Sequence, residues 1–292
     1  MLLEEANAKI NVFLDVVSKR ENGYHNIVSI MQTVSLCDRV TVDFTPAKQT
    51  SVFLDASGND EMPRDEKNLA YRAAIRFLET CGITGHVTVY IEKHIPMAAG
   101  LAGGSADAAA VLRALNTLCD SPLSSEELGA LGVTLGADVP FCIRKGSAYV
   151  TGIGDMISNA PLMPSVPIVV ACQGNGISTP AAYGELDEKY AHFRNKREVP
   201  FDSESILSAF KAKDIAHAIG HFYNIFEDVV PMHQPYVEVL KSEMYRQGAI
   251  KAMMSGSGPS VFGVFSSEEQ ATAAQKRLIE LGAAAHVVYP ST

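Results

Sequence analysis

The residues most suited to chemistry lie in IPMAAGLAGGSADAAA, where Gly100, Gly103, Gly104 and Ser105 fall within six positions before an alanine-rich helical pattern. Glycines let the backbone approach an anion closely and turn its N–H groups inward, and a helix N-terminus adds unpaired donors and a positive dipole end. Such a loop suits phosphate, although it lacks the lysine that ends the common GxxxxGK[ST] loop. Ser105 would either cap the helix or reach a phosphate or its Mg²⁺. The plainer reading is a tight strand-to-helix turn with Ser105 as an ordinary N-cap.

A second glycine loop, Ser255-Gly256-Ser257-Gly258-Pro259-Ser260, separates two apolar strands. It suits contact with a ligand's phosphate or with the first loop, or else a hairpin with a bulge. In GADVPF, Asp138 follows a helix end, and Pro140 is expected to hold Val139 extended. An acid on such a turn can take a proton from an attacking hydroxyl, though most such aspartates are solvated turn formers. Lys9, in AKIN, is a strand lysine sharing a face with Asn11, and the ordinary reading faces it to solvent. Tyr24 and His25 follow the turn signal Asn22-Gly23 and could stack on and hydrogen-bond a base, or simply pack. His217 and His221 have the spacing of a metal pair but no HExxH glutamate and no obvious third ligand, so they read as a helix face.

These residues must be positioned by a chain of 292 residues, long enough for about two domains. Residues 8–17 and the run SIMQTVSLCDRVTVDF read as strands. TPAKQTSVFLDASGNDEMPRDEKN reads as a polar connection, and LAYRAAIRFLETC as a helix stopped by Gly82. HVTVYIEK alternates, with Val87, Val89 and Ile91 on one face. After the glycine loop, Ala108, Val111, Leu112, Leu115 and Leu118 keep helical spacing. SSEELGALGVTLG is a helix with Ser124 and Glu127 as a capping box. The second half reads strand, several helices, strand, glycine loop, strand, helix and strand. The change of domain is placed near 155, giving residues 1–155 and 156–292. Mixed elements without regular βαβ alternation favour α+β layers over a Rossmann sheet.

Composition bounds the partners. A net charge of −9 argues against nucleic acid, which demands a basic face. The tightest basic cluster, Arg194, Lys196 and Arg197, is short. No apolar run approaches the roughly 20 residues that span a bilayer, and the acidic start lacks a signal peptide's basic region, so a cytoplasmic chain without membrane attachment is expected. Cys37, Cys81, Cys119, Cys142 and Cys172 are far apart with no CxxC, and they read as buried reduced thiols.

Taken together, these motifs resemble the GHMP kinases (galactokinase, homoserine kinase, mevalonate kinase, phosphomevalonate kinase). The family's proline, Gly-Leu pair and serine, with the glycine-rich core, appear as Pro96, Gly100-Leu101 and Ser105. AKIN, NGYH, GADVPF, STPAAY and MSGSGPSVFG are similar to the branch whose acceptor carries a cytidine diphosphate group, in the expected order from residue 6 to about 265.

The resemblance implies a two-domain α+β fold with the active site in the cleft between the halves, and ATP with Mg²⁺ as phosphoryl donor. Pro96, Gly100, Leu101, Ala102, Gly103, Gly104, Ser105, Ala106 and Asp107 would then form or flank the ATP loop, with Asn68 and Lys93 on the nucleotide side. It implies further that Asp138 takes the acceptor's proton and that Lys9, beside it, supplies the cation missing from the loop. Tyr24, His25 and Tyr183 would hold the cytosine, with Asn11 and Thr179 near the substrate's polar groups. The enzyme would be a monomer or homodimer. Ala98 and Ala102 stand where relatives often carry glycine, and a methyl is tolerated there if φ is negative. Gln173 to Gly176 departs from the family's usual proline-containing turn.

Overall fold

The computed structural model describes residues 1–174, 178–191 and 202–292. The basic cluster Arg194, Lys196 and Arg197 lies outside the described residues, as do Asn175 and Gly176. The chain forms two compact units that are discontinuous in sequence: residues 1–8, 36–97 and 102–145, and residues 9–35, 98–101 and 146–292. Two long strands, β1 (Leu2–Lys19) and β2 (His25–Pro46), contribute residues to both. Residue 155, where the sequence places the change of domain, lies in the turn of a hairpin within the second unit. Glycine punctuation marks a tight turn as readily as a linker.

The first unit adds β3 (Ser51–Ser57), α1 (Leu69–Cys81), β4 (Gly85–Glu92), α2 (Gly103–Leu118), α3 (Ser125–Leu135) and α4 (Val139–Arg144). β4 pairs antiparallel with β2, Val89 opposite Val42, and parallel with β3, Val89 opposite Leu54. The alternation in β4 buries Val87, Val89 and Ile91 as its pattern predicts. α1 buries Ala70, Ala73, Ala74, Phe77 and Leu78, a stripe at helical spacing. Gly82 ends it at φ 64°, with its N–H on Glu79 O, in the left-handed conformation that favours glycine. α2 packs against α1 and α4, and its small Ala106, Ala108, Ala109 and Ala110 are all buried. The expected capping box opens α3: Ser124 Oγ accepts from Glu127 N, and the Glu127 carboxylate accepts from Ser124 N at 2.9 Å.

Two expectations change here. β3 occupies part of the stretch read as a polar connection, because a strand beside a single neighbour needs only one apolar face, here Leu54 and Ala56. Val139 is helical, not extended, since Pro140 falls in the first turn of α4. There its missing N–H leaves no helical bond unmade.

The second unit adds β5 (Ser147–Thr151), β6 (Met156–Asn159), β7 (Ile168–Cys172), α5 (Thr179–Lys189), α6 (Ser203–Ala212) and α7 (Ile215–Ile219). It continues with β8 (Tyr223–Asn224), α8 (Pro235–Arg246), β9 (Lys251–Met254), β10 (Val261–Val264), α9 (Glu268–Glu280) and β11 (Ala284–Val288). The last five elements and β7 follow the expected order. Antiparallel strands run β11-β7-β10-β9, with Val261 opposite both Ala171 and Met254. α8 and α9 pack on this sheet over a core that includes Val169, Leu240, Met244, Phe265 and Leu278. The short strands β5, β6 and β8 are not marked in the sequence. Each borrows its hydrogen bonds from a neighbour: β5 from β2, β6 from β5, and β8 from β1. Among the described residues no helix is long and apolar enough to cross a membrane.

Candidate active site

In the second unit the central stretch of β1 is buried on both faces, so Lys9 does not face solvent: it is 4% exposed. Lys9 and Asn11 share a face, as strand alternation requires, and Lys9 Nζ donates to Asn11 Oδ1 at 2.6 Å and to Gly100 O at 3.0 Å. Asn11 Nδ2 donates to Ser29 Oγ at 2.8 Å, and Ser29 Oγ donates to Phe13 O at 2.7 Å. Ser29 has one proton and gives it to Phe13, so it can only accept from Asn11. The Asn11 amide is thereby turned with its oxygen toward the ammonium. Burying a charge is costly without a partner, and Lys9 has amide and carbonyl oxygens but no carboxylate among the described residues. The arrangement holds a cation ready for an anion.

The segment 98–101 is held on this unit by Lys9 N donating to Leu101 O and Ser260 N donating to Ala99 O. Gly100 has φ 77°, and a Cβ there would stand 2.3 Å from Ser255 O, so only glycine fits. Ser255 Oγ accepts from Asn11 N at 3.3 Å and donates to Gly100 O at 3.2 Å. The second glycine loop thus meets the first, one of the two roles its composition suggests. Asn224 Nδ2 braces it from behind through Met254 O and Gly256 O.

The base-binding candidates divide. Tyr24 is 61% exposed on the turn before β2. His25 is buried and stacks on Tyr183, ring centroids 4.6 Å apart and planes 18° apart, and Tyr183 meets Phe226 edge-on at 5.1 Å. Asp187, one turn beyond Tyr183 in α5, takes His25 Nε2 at 2.7 Å and also the Lys19 ammonium. Burial raises the Asp187 pKa, but the hydrogen bonds from Lys19 and His25 outweigh it and hold the carboxyl below its ordinary range. Thr179, the first residue of α5, lies 3.0 Å from Ser257 through their hydroxyls.

In the first unit, α2 begins at Gly103 with Ala102 as its N-cap, so Ser105 is the third helical residue and not the cap. No side chain caps this end, and the N–H groups of Gly103, Gly104 and Ser105 have no intrahelical acceptor. A Cβ on Gly104 would meet only Leu69 Cδ1, at 3.9 Å, leaving open space over the helix end. Ala98 and Ala102 have φ 51° and 59°, so the negative φ that would accommodate their methyls is not adopted. Both are strained in the left-handed region.

Asn68 caps α1: its Oδ1 accepts from Ala70 N and its Nδ2 donates to Pro63 O. Lys93 is buried between two carboxylates, 2.5 Å from Asp38 Oδ2 and 2.8 Å from Asp107 Oδ2. Burial alone would lower the Lys93 pKa, yet Asp107 and Asp38 hold it above its ordinary value. Burial drives the Asp107 carboxyl up to about 7, helped by Asp38 and opposed by Lys93. Among the described residues its Oδ1 has no hydrogen-bond partner. Pro96 begins the loop, and Ala106 closes the first helical turn by donating to Ala102 O. Asp138 is half-buried at the N-terminus of α4, and its carboxylate caps nothing.

Asp187, Asp38 and Ser29 were not singled out by the sequence. Only Asp187 carried a usable signal, its four-residue spacing from Tyr183. His217 and His221 lie with rings 5.2 Å apart, and among the described residues no group of three or more His, Cys, Asp or Glu could hold a metal. All five cysteines are free, but only Cys142 and Cys172 are buried, so the buried-thiol expectation holds for two of them.

Residues 68–146 match the family described as GHMP kinases N terminal domain, and residues 206–284 the family described as GHMP kinases C terminal. The chain belongs to the GHMP kinases. Among curated relatives, 4-diphosphocytidyl-2-C-methyl-D-erythritol kinase of Lachnospira eligens is 38% identical over 99% of this chain and 97% of its own. The protein of the same name from Bacillus velezensis is 40% identical over 92% of this chain and 90% of its own. A crystal structure of 4-(cytidine 5'-diphospho)-2C-methyl-D-erythritol kinase superposes with TM-score 0.81 at 31% identity, covering all of both chains. A mevalonate kinase from L. major, at TM-score 0.75 and 14% identity over 100% of this chain and 96% of its own, shares the fold.

Proposed function

We propose that this chain transfers the γ-phosphoryl group of ATP to the C2 hydroxyl of 4-diphosphocytidyl-2-C-methyl-D-erythritol, a step in non-mevalonate isoprenoid precursor synthesis. The observation that carries the chemistry is Lys9, a buried cation with neutral oxygens as its only partners among the described residues. The identity of the relatives supports the acceptor.

The acceptor is a tertiary alcohol whose pKa lies far above that of a carboxylate, so its proton does not leave early at neutral pH. In a loose phosphoryl transfer it need not, and catalysis rests on positioning and charge stabilisation. Asp138 accepts the proton late, its carboxylate not engaged in capping. Lys9 stabilises the charge on the reacting oxygens, and the uncapped N–H groups of Gly103, Gly104 and Ser105 cradle the phosphates. His25, fixed by Asp187 and backed by Tyr183, presents its ring to the cytosine, with exposed Tyr24 free to close over the base. Asn11 and Thr179 lie on the acceptor side.

The donor set suits a Mg²⁺ that arrives with the nucleotide, because no three-residue cage is assembled among the described residues. Ser105, in the first turn of α2, would be the residue whose hydroxyl reaches it. The metal would neutralise phosphate charge. A cytoplasmic monomer or homodimer, acting on small dissolved anions, completes the proposal.

ATP consumption with Mg²⁺ against the cytidyl compound, homoserine, mevalonate, phosphomevalonate and galactose tests it. Turnover confined to the cytidyl compound is expected. Turnover on another acceptor would discard the cytosine pocket.

A further inference from the structure

Asp38 is fully buried near the start of the first-unit portion of β2. Its Oδ1 accepts from His94 N at 2.6 Å and Ile95 N at 2.8 Å, and its Oδ2 accepts from Lys93 Nζ at 2.5 Å. Lys93 Nζ also donates to Asp107 Oδ2 at 2.8 Å. Residues 93–95 lead into the loop, and Asp107 sits at the beginning of α2, where the loop ends. One carboxylate therefore grips the entry directly and the exit through a lysine.

Stability alone is a poor reason for this cluster. Two carboxyls about one ammonium are costly to bury, and apolar side chains of similar volume generally serve stability as well or better. What the cluster does supply is a fixed distance. Gly103 lies against the same residues: a Cβ there would meet Ile95 Cγ2 at 3.0 Å and Lys93 Nζ at 3.4 Å. A small displacement of Lys93 or Ile95 therefore reaches the first residue of α2 directly.

We propose that Asp38 is a positioning residue for the nucleotide phosphates, which it does not touch. By holding Lys93, His94 and Ile95 it sets the aim of the N–H groups of Gly103, Gly104 and Ser105. This rests on the kinase reading above, in which those groups receive ATP.

Asp38→Asn is the informative change. It keeps the size of the side chain and the acceptor for His94 N and Ile95 N, but removes the charge that holds Lys93. ATP Kd and KM should rise about tenfold, the effect of losing a charged hydrogen bond's worth of alignment. The acceptor KM should stay within about twofold, because acceptor binding does not depend on the spacing Asp38 sets. Wild-type ATP affinity in the folded variant would overturn the proposal, as would an equal rise in both KM values. If circular dichroism shows that Asp38→Asn does not fold, Asp38→Glu takes its place. That change keeps the charge but moves the carboxylate by one methylene and so displaces the His94, Ile95 and Lys93 donors, so the same ATP-selective loss is expected and its absence is equally decisive. Wild type is measured alongside: failure of wild type to bind ATP refutes the kinase reading, whereas wild-type binding with unaltered variants refutes only the role of Asp38.

Discussion

Lys9 Nζ stands 2.6 Å from Asn11 Oδ1, and the orientation of that amide is dictated one step further on by Ser29. A cation held this way is aligned without being neutralised. Lys9→Met keeps the length of the side chain and removes its charge. It should lower kcat by about 10²–10³-fold, the range for losing one donor aimed at developing charge. Equilibrium ATP affinity should fall far less. Steady-state kinetics with direct ATP binding checks this, and a loss confined to affinity would make Lys9 a binding residue only.

Asp138 begins α4 with a carboxylate that no capping bond engages. Asp138→Asn preserves shape and removes basicity, so kcat should drop on the order of 10²-fold or more with both substrates still bound. Near-normal turnover would remove Asp138 from the proton-accepting role.

Asp107 gives a pH dependence of defined sign. Its carboxyl is held at about 7 in the fold against an ordinary 3.8. Between those values the folded protein keeps a proton that the unfolded chain releases, so folding takes up a proton. This stabilisation is complete below about pH 4, declines as pH rises, and is gone above about pH 7. Melting temperatures of wild type and Asp107→Asn across that window should show the decline in wild type and a shallower slope in the variant. Identical slopes would contradict the assignment.

Ala102 caps α2 at φ 59°. A non-glycine residue there is strained by roughly 1–2 kcal/mol, and glycine's greater freedom in the unfolded chain returns roughly 0.4–1 kcal/mol of that. Ala102→Gly should therefore raise stability by about 0.5–1 kcal/mol in urea titration. A loss of stability would mean that the methyl packs favourably enough to repay its strain.

Much of the architecture was readable because it is written locally. The stripe of α1 with its Gly82 stop, the Ser124–Glu127 box and the alternation of β4 each need only a few neighbouring residues. The strands β5 and β8 were not readable, because their partners lie far away in sequence, and β6, though hairpinned to β5, is four mostly exposed residues with no apolar face. At the site, the glycines announced an anion loop, but the side-chain environment of Lys9 did not show in AKIN, where a strand lysine ordinarily faces water. Asp38 left no local trace at all: its importance comes from three donors supplied by residues more than fifty positions away. Pro140 misled for a physical reason, since the same residue that favours extension before it is also well suited to a helix's first turn.

Which oxygen receives the phosphate is read directly by ³¹P NMR of the product. Carbon 2 of the methylerythritol unit carries a methyl group and a hydroxyl but no hydrogen. A phosphate placed there therefore shows no three-bond coupling to a carbinol proton. One new phosphomonoester singlet that persists without proton decoupling is expected beside the two diphosphate resonances. A proton-coupled multiplet, which a phosphate on carbon 1 or carbon 3 would give, would contradict it.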